Sequence, residues 1–221
     1  MSVTDRTANQ AALMDGVYRH QRHLYDATRK FYLFGRDRML AGLDVPPGGT
    51  VLELGCGTGR NLLLAAHRCR DARYFGLDIS REMLTSALKG VTRHGLSERI
   101  KLAQGDATRF DAEALFGCAT FDRVFISYSL SMIPAWEKTI DAALAMLRPG
   151  TSLHIVDFGQ QESLPRWFRV GLRNWLAKFH VEPRDSLREV LESQCERQAA
   201  SLSFETLYRG YAVHAVVRRQ V

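Results

Sequence analysis

Val51-Leu52-Glu53-Leu54-Gly55-Cys56-Gly57-Thr58-Gly59-Arg60-Asn61 is the stretch whose reading decides the fold. The apolar run that carries Glu53 has the form of a buried strand, and Leu62-Leu63-Leu64-Ala65-Ala66 beyond it opens a helix. Three alternate glycines between them let the backbone bend tightly and keep side chains away from a ligand. The helix start adds N–H groups with no partner inside the helix. Such a bend suits a flat, polar small molecule lying against main chain.

The ligand is not read as a dinucleotide. A diphosphate site has the spacing G-x-G-x-x-G over a helix start. Here the spacing is G-x-G-x-G, and Glu53 disfavours a phosphate and suits a cation. A second strand, Tyr74-Phe75-Gly76-Leu77, ends in Asp78, placed to accept hydrogen bonds from a ribose diol. A third, Ile100-Lys101-Leu102-Ala103-Gln104-Gly105, leads to Asp106. Three acids at strand ends, with no phosphate-binding lysine, suggest an adenosine that carries an amino acid and a positive charge.

Working outward, strand and helix patterns alternate from the turn Pro46-Pro47-Gly48-Gly49 onward. The fold class is therefore α/β: a single Rossmann-like, doubly wound parallel sheet with ligands at the carboxyl ends of the strands. The 221 residues suffice for one domain. Residues 1–44 read as a helical cap, 45–157 as the cofactor half, and 158–221 as an inserted lid followed by two strand patterns, Ser203–Leu207 and Tyr211–Val217. The four cysteines, Cys56, Cys69, Cys118 and Cys195, are scattered and form no C-x-x-C pair, so neither a metal site nor a disulfide framework is expected. No apolar run reaches bilayer-spanning length, and the N-terminus lacks a basic-then-apolar signal pattern. A cytoplasmic protein is expected. The net charge of +6 favours an anionic partner.

Two helical stretches carry further signals. Tyr18, Arg22, Tyr25, Arg29, Tyr32 and Arg36 share one helix face. They form either a solvated polar face or a lid in which tyrosine rings surround a cation and arginines bind a carboxylate or phosphate. Gly35 either turns the chain toward the glycine bend or ends the helix. Between Leu164 and His180, Leu164, Phe168, Leu172, Trp175 and Phe179 make one face, with Arg166, Arg169 and Arg173 opposite. That pattern fits a helix on an anionic membrane surface, or one packed on the core with a solvated basic face. His20 and His23 are candidate proton relays; His154 and His214 read as structural strand residues with satisfied rings.

Taken in order, Glu53–Gly59, Gly76-Leu77-Asp78-Ile79-Ser80 with Met83, Gly105-Asp106-Ala107 and Leu147-Arg148-Pro149-Gly150 resemble the class I S-adenosylmethionine-dependent methyltransferases over residues 45–157. The resemblance implies a cofactor, S-adenosyl-L-methionine, and a set of holders. Glu53, Gly55, Cys56, Gly57, Thr58, Gly59 and Asn61 would take its methionine part. Asp78 would hold the ribose, Ile79 and Met83 would lie against the adenine, and Asp106 and Ala107 would meet its amino edge. Ser127 and Tyr128 would sit near the methyl donor, and Arg36 would reach a carboxylate. The insertion after Asp157-Phe158 lies where such enzymes elaborate a substrate lid.

The wording from Tyr18 to Asp37 is similar to bacterial BtaB-type betaine-lipid N-methyltransferases, which act on diacylglyceryl homoserine and are close to phospholipid N-methyltransferases. It implies a lipid amine as substrate, diacylglyceryl homoserine ahead of phosphatidylethanolamine, and a peripheral position on the inner face of an anionic membrane; Tyr18, Tyr25 and Tyr32 are then expected to line the growing ammonium, with Arg29 and Arg36 as candidate anion binders. No nucleic acid partner is expected: Ser127-Tyr128-Ser129-Leu130 replaces the Pro-Pro-aromatic turn of base-amine methyltransferases. A soluble small-molecule amine and a non-catalytic cofactor-binding role are the alternatives.

Overall fold

A computed structural model of the chain describes residues 33–179 and 181–220. Tyr18, Tyr25, Arg29 and Tyr32, with His20 and His23, lie outside the described residues. Among those described, a short helix α1 (Arg36–Ala41) precedes β1 (Thr50–Leu54), α2 (Arg60–Arg68), β2 (Arg73–Asp78), α3 (Arg81–Arg93) and β3 (Ile100–Gln104). The chain continues through α4 (Ala112–Phe116), β4 (Arg123–Ser127), a 3-10 turn (Leu130–Met132), α5 (Trp136–Ala145) and β5 (Ser152–Phe158). It ends with α6 (Arg166–Ala177), α7 (Leu187–Gln198), β6 (Ala200–Leu207) and β7 (Ala212–Arg219).

The strands form one sheet in the order β3-β2-β1-β4-β5-β7-β6. β1, β4 and β5 are buried along their whole length, as their apolar runs require of central parallel strands. Helices cover both faces. Phe116, Ile140, Leu144, Leu187 and Leu191 close one core, and Met39, Leu62, Ala66, Val91 and Leu176 close the other. The order reverses between β1 and β4, which opens a crevice at their carboxyl ends.

The expectation of an all-parallel sheet is corrected at one strand. β7 pairs antiparallel with β5 and with β6. β6 and β7 are joined by a turn, Tyr208–Tyr211, too short for a parallel crossover. Helix α7 was not expected at all. The inserted helix α6 is confirmed, with one face redrawn. Leu164, Leu172, Trp175 and Phe179 pack on the core, the second of the two alternatives, and Leu176 is the most buried; Phe168 stands 39% exposed.

Gly35, at φ 84°, is the N-cap of α1. Arg123 fixes the far end of that segment, donating from Nε to the Leu43 carbonyl at 2.6 Å and from a terminal nitrogen to the Asp44 carbonyl.

His154 is buried between β4 and β7 and bonds Ser152 Oγ at 2.9 Å. Both rings depart from the expectation of satisfied strand residues, since His154 Nδ1 and His214 Nε2 have no hydrogen-bond partner among the described residues. Burial, reinforced by His214 and Arg123, pushes the His154 pKa from 6.5 down to about 3. The folded state therefore holds His154 neutral while the unfolded chain takes up a proton below pH 6.5. Stability is expected to fall as pH drops from about 6.5 toward 3. Chemical denaturation of His154→Leu across that window should give a shallower acid limb; a limb as steep as the wild type's would remove His154 as the cause.

Candidate active site

The glycine bend is held from three sides. Gly55 and Cys56 both donate to the Leu77 carbonyl, at 2.8 and 3.0 Å, which sews the bend to the end of β2. Gly57 donates to Asp78 Oδ2 at 2.7 Å. Ser129, just past β4, donates to the Leu54 carbonyl at 3.1 Å and closes over Gly55. Gly55, Gly57 and Gly59 all have positive φ, at 72°, 54° and 73°. A Cβ at Gly55 would lie 2.5 Å from Ser129 Cβ, so the approach itself demands glycine.

A cavity of about 190 Å³ opens beside this bend. Its walls are Leu33, Arg36, Glu53, Gly55, Cys56, Thr58, Arg60, Asn61 and Ser127. Asn61 Nδ2 donates to Glu53 Oε1 at 2.7 Å and so orients the acid. Arg36 is 5% exposed, with its Nε 3.4 Å from the Asp37 carboxylate. Ser127 Oγ is buried in the wall and has no hydrogen-bond partner among the described residues. Burial, then the nearby Asp78 and Glu53 charges, pushes the Cys56 thiol well up, so it is a neutral small residue there.

The other expected holders line up along the neighbouring strand ends. Asp78 uses both carboxylate oxygens locally, Oδ2 for Gly57 and Oδ1 for Ser80 N at 2.9 Å. Each carboxylate oxygen offers two lone pairs, so bonding the turn is compatible with accepting from a diol. Ser80 caps α3, accepting from Met83 N at 3.3 Å. Met83 is buried against Met132 and Phe179. Asp106 Oδ1 closes its own turn through Thr108 N at 2.9 Å and Thr108 Oγ1 at 2.7 Å, with Ala107 buried beside it.

Tyr128 goes elsewhere. Its backbone is left-handed, at φ 56°, and its ring is buried against Phe158 with centroids 4.7 Å apart. Its hydroxyl donates to the Phe34 carbonyl. The side chain pins the N-terminal segment and is absent from the cavity walls.

From sequence, none of Arg60, Leu33, Ser129 and Met132 is named as a site residue, and Phe179 is named only as part of the apolar face of the inserted helix. Arg60 follows the third glycine directly, which was the available signal. Ser129 and Met132 sit in a short turn with no recognisable pattern.

Residues 51–150 match the family model described as a methyltransferase domain, the stretch that runs from β1 past the glycine bend and the acids to the turn before β5. Over these residues the chain is similar to methyltransferase domains. The chain is 35% identical over 118 residues to the phosphatidylethanolamine N-methyltransferase of Cereibacter sphaeroides, covering 53% of this chain and 55% of that one. It is 25% identical over 158 residues to a demethylmenaquinone methyltransferase of Desulfitobacterium hafniense, covering 69% of this chain and 61% of that one. The chain thus spans little more than half the length of these relatives. Its fold matches that of the Haemonchus contortus phosphoethanolamine N-methyltransferase 2, solved with S-adenosyl-L-methionine, with a TM-score of 0.68 at 16% identity over 84% of this chain and 52% of that one.

The residues present fit S-adenosylmethionine. The glycine bend offers bare backbone, Arg36 a buried cation, Ser127 a hydroxyl with acceptor and donor to spare, and Asp78 and Asp106 acids at successive strand ends. Arg36 and the glycine bend would hold the amino-acid end, Asp78 the sugar, and Ile79, Met83, Asp106 and Ala107 the base. A hydrogen bond to a charged group contributes about 1.5–3 kcal/mol. Arg36→Ala is therefore expected to weaken binding of S-adenosylhomocysteine by roughly 10- to 150-fold in calorimetry. An unchanged dissociation constant would take Arg36 out of the site.

Proposed function

We propose that this chain N-methylates the amine of a lipid headgroup, with phosphatidylethanolamine as the first substrate and diacylglyceryl homoserine as the second. The observation that carries this reading is the placement of α6. One end of the insertion sets Phe179 against Met83 beside the cofactor-binding strand ends. Its outer side exposes Trp167, Phe168 and Val170 among arginines, which suits a substrate held in a membrane. The phosphatidylethanolamine N-methyltransferase of Cereibacter sphaeroides, similar across half the chain, supports an aminolipid. Among the described residues no helix is long and apolar enough to cross a membrane, so contact would be peripheral.

When bound, S-adenosylmethionine supplies a methyl group on a sulfonium that leaves readily. The work left to the chain is orientation and exclusion of water. Asn61 fixes Glu53, Ser129 locks the bend, and Ser127 presents a hydroxyl where the cavity meets the end of β4. The amine must arrive neutral and shed a proton after attack. Burial holds Tyr128 and Cys56 protonated, well above their ordinary values, so neither serves as that base. Tyr18, Tyr25 and Tyr32 are proposed to line the path of the growing ammonium, with Arg29 near its anionic neighbour.

The likeness to a demethylmenaquinone methyltransferase favours a second reading, a quinone as acceptor. Incubation with methyl-labelled cofactor and a total lipid extract, followed by mass identification, separates the two. Label in mono- to trimethylated aminolipid is the expected result. Label confined to a quinone, or to water-soluble amines, would overturn the headgroup reading.

A further inference from the structure

Seven large apolar side chains are exposed among the described residues: Phe34, Leu88, Leu115, Trp167, Phe168, Val170 and Tyr208. Leu88 and Leu115 stand on α3 and α4. The other five belong to three segments joined at the carboxyl end of β5. Phe34 packs its ring 5.4 Å from Tyr208 and 5.1 Å from Tyr211, so the N-terminal segment and the β6–β7 turn share one aromatic contact. Gln161, fully buried, donates from its backbone to the Gly210 carbonyl at 2.8 Å, and its side-chain oxygen accepts from Arg173 Nε at 3.3 Å. That residue ties the same turn to α6. Trp167 and Phe168 then stand edge to face, with centroids 5.8 Å apart and Trp167 76% exposed.

Charge surrounds these rings. Arg166, Arg173, Lys178 and Arg209 are exposed and Arg169 is half-buried, while α6 contains no acid. Glu162, over Gly210, is the acid between the two halves. Leu33, next to Phe34, is a wall of the cofactor cavity, and Phe179 at the far end of the insertion meets Met83.

We infer that Phe34 and Tyr208 on one side and Trp167, Phe168 and Val170 on the other form a single two-sided docking face for an anionic lipid surface, with the mouth of the active site on the same rim. This rests on the lipid-headgroup reading and deepens it by naming the surface and the charge of the membrane. Exposed aromatic rings settle at the level of lipid headgroups, and arginine stems lie along apolar surface with their charges at the phosphates. A nucleic acid would match the arginines and stack on Trp167 but leave the aliphatic Val170 without a partner, so the mixed aliphatic and aromatic face decides for lipid.

The test uses the full chain and vesicles of phosphatidylcholine with and without phosphatidylglycerol, neither of which carries a methylatable amine. Co-sedimentation is expected only with phosphatidylglycerol present and should weaken as salt rises. Trp167→Ser with Val170→Ser, and separately Tyr208→Asn, should each lower partitioning roughly tenfold or more, the loss of burying large apolar side chains. Asn tolerates the left-handed backbone at position 208, where φ is 52°, so the turn is kept. Leu88→Ser is the control and should bind like the wild type. All variants should keep the wild-type affinity for S-adenosylhomocysteine, which reports an intact fold. No binding to phosphatidylglycerol vesicles overturns the face, even if the chain methylates an aminolipid dispersed in detergent. Binding that Tyr208→Asn leaves unchanged overturns its two-sidedness. Binding by a chain that methylates no lipid supports the face and removes the headgroup reading instead.

Discussion

Gly55→Ala is expected to lower affinity for S-adenosylhomocysteine by roughly 100-fold or more, a loss near 3 kcal/mol. Two costs combine. A side chain held at left-handed φ costs about 1–2 kcal/mol, and Gly55 sits at φ 72°. The new Cβ would also press on Ser129, 2.5 Å from its Cβ and 2.7 Å from its Oγ. Ser129 cannot swing aside without giving up its bond to the Leu54 carbonyl. The bend must therefore open, and with it the wall on which the cofactor rests. A destabilisation of about 2–3 kcal/mol would lower Tm by roughly 4–12 °C in a domain of this size. Gly48→Ala separates the two costs. Gly48 has φ 68° but open space around its Cβ position, away from the site. It should lose some stability and no affinity. Calorimetry and thermal unfolding on both variants read the outcome, and equal affinities for Gly55→Ala and the wild type would mean that the bend is not the binding surface.

Asp78→Ala carries the second large effect. One carboxylate holds Gly57 N at 2.7 Å and Ser80 N at 2.9 Å, so it joins the glycine bend to the start of α3. Charge-assisted hydrogen bonds of this kind contribute about 1.5–3 kcal/mol each. Their removal frees both backbone segments and deletes the acceptor proposed for the ribose. The affinity for S-adenosylhomocysteine should fall by roughly 100- to 1000-fold, with a lower Tm. Asp78→Asn keeps the shape but turns an amide donor toward one of the two N–H groups, so it should lie between alanine and wild type. Wild-type affinity in Asp78→Ala would show that neither the bend nor the sugar depends on this acid.

The cofactor half was legible because its signals are local. An apolar run, a bend that only glycine tolerates and an acid at the next strand end can each be read without knowing what packs against them. Seven of the residues named in advance, Arg36, Glu53, Gly55, Cys56, Thr58, Asn61 and Ser127, meet in one cavity wall. Tyr128 shows where such reading stops. It follows Ser127 at the end of β4, yet one left-handed residue turns its ring away, to the core beneath Phe158. Nothing in the residue type announces that, since tyrosine rarely adopts this backbone.

The last third was harder for a different reason. Helix α7 buries only a narrow stripe, Leu187, Leu191 and Cys195 with Gln194, and its remaining positions are largely arginine, glutamate and glutamine. A stripe that thin gives little periodicity to detect. β7 is a buried apolar run like the parallel strands, and its reversed direction comes from the short turn that joins it to β6. Spacing puts Phe168 on the apolar face of the inserted helix, yet it stands 39% exposed while Leu176, outside that spacing, is buried.

The most direct measurement is titration of purified, folded chain with S-adenosylmethionine and S-adenosylhomocysteine in a calorimeter. Saturable binding of both at one site per chain, lost together in Gly55→Ala and Asp78→Ala and retained in Gly48→Ala, is the result expected. A chain that shows native circular dichroism and cooperative unfolding, yet gives no heat with either compound, would contradict the assignment of the cavity and every step that follows from it.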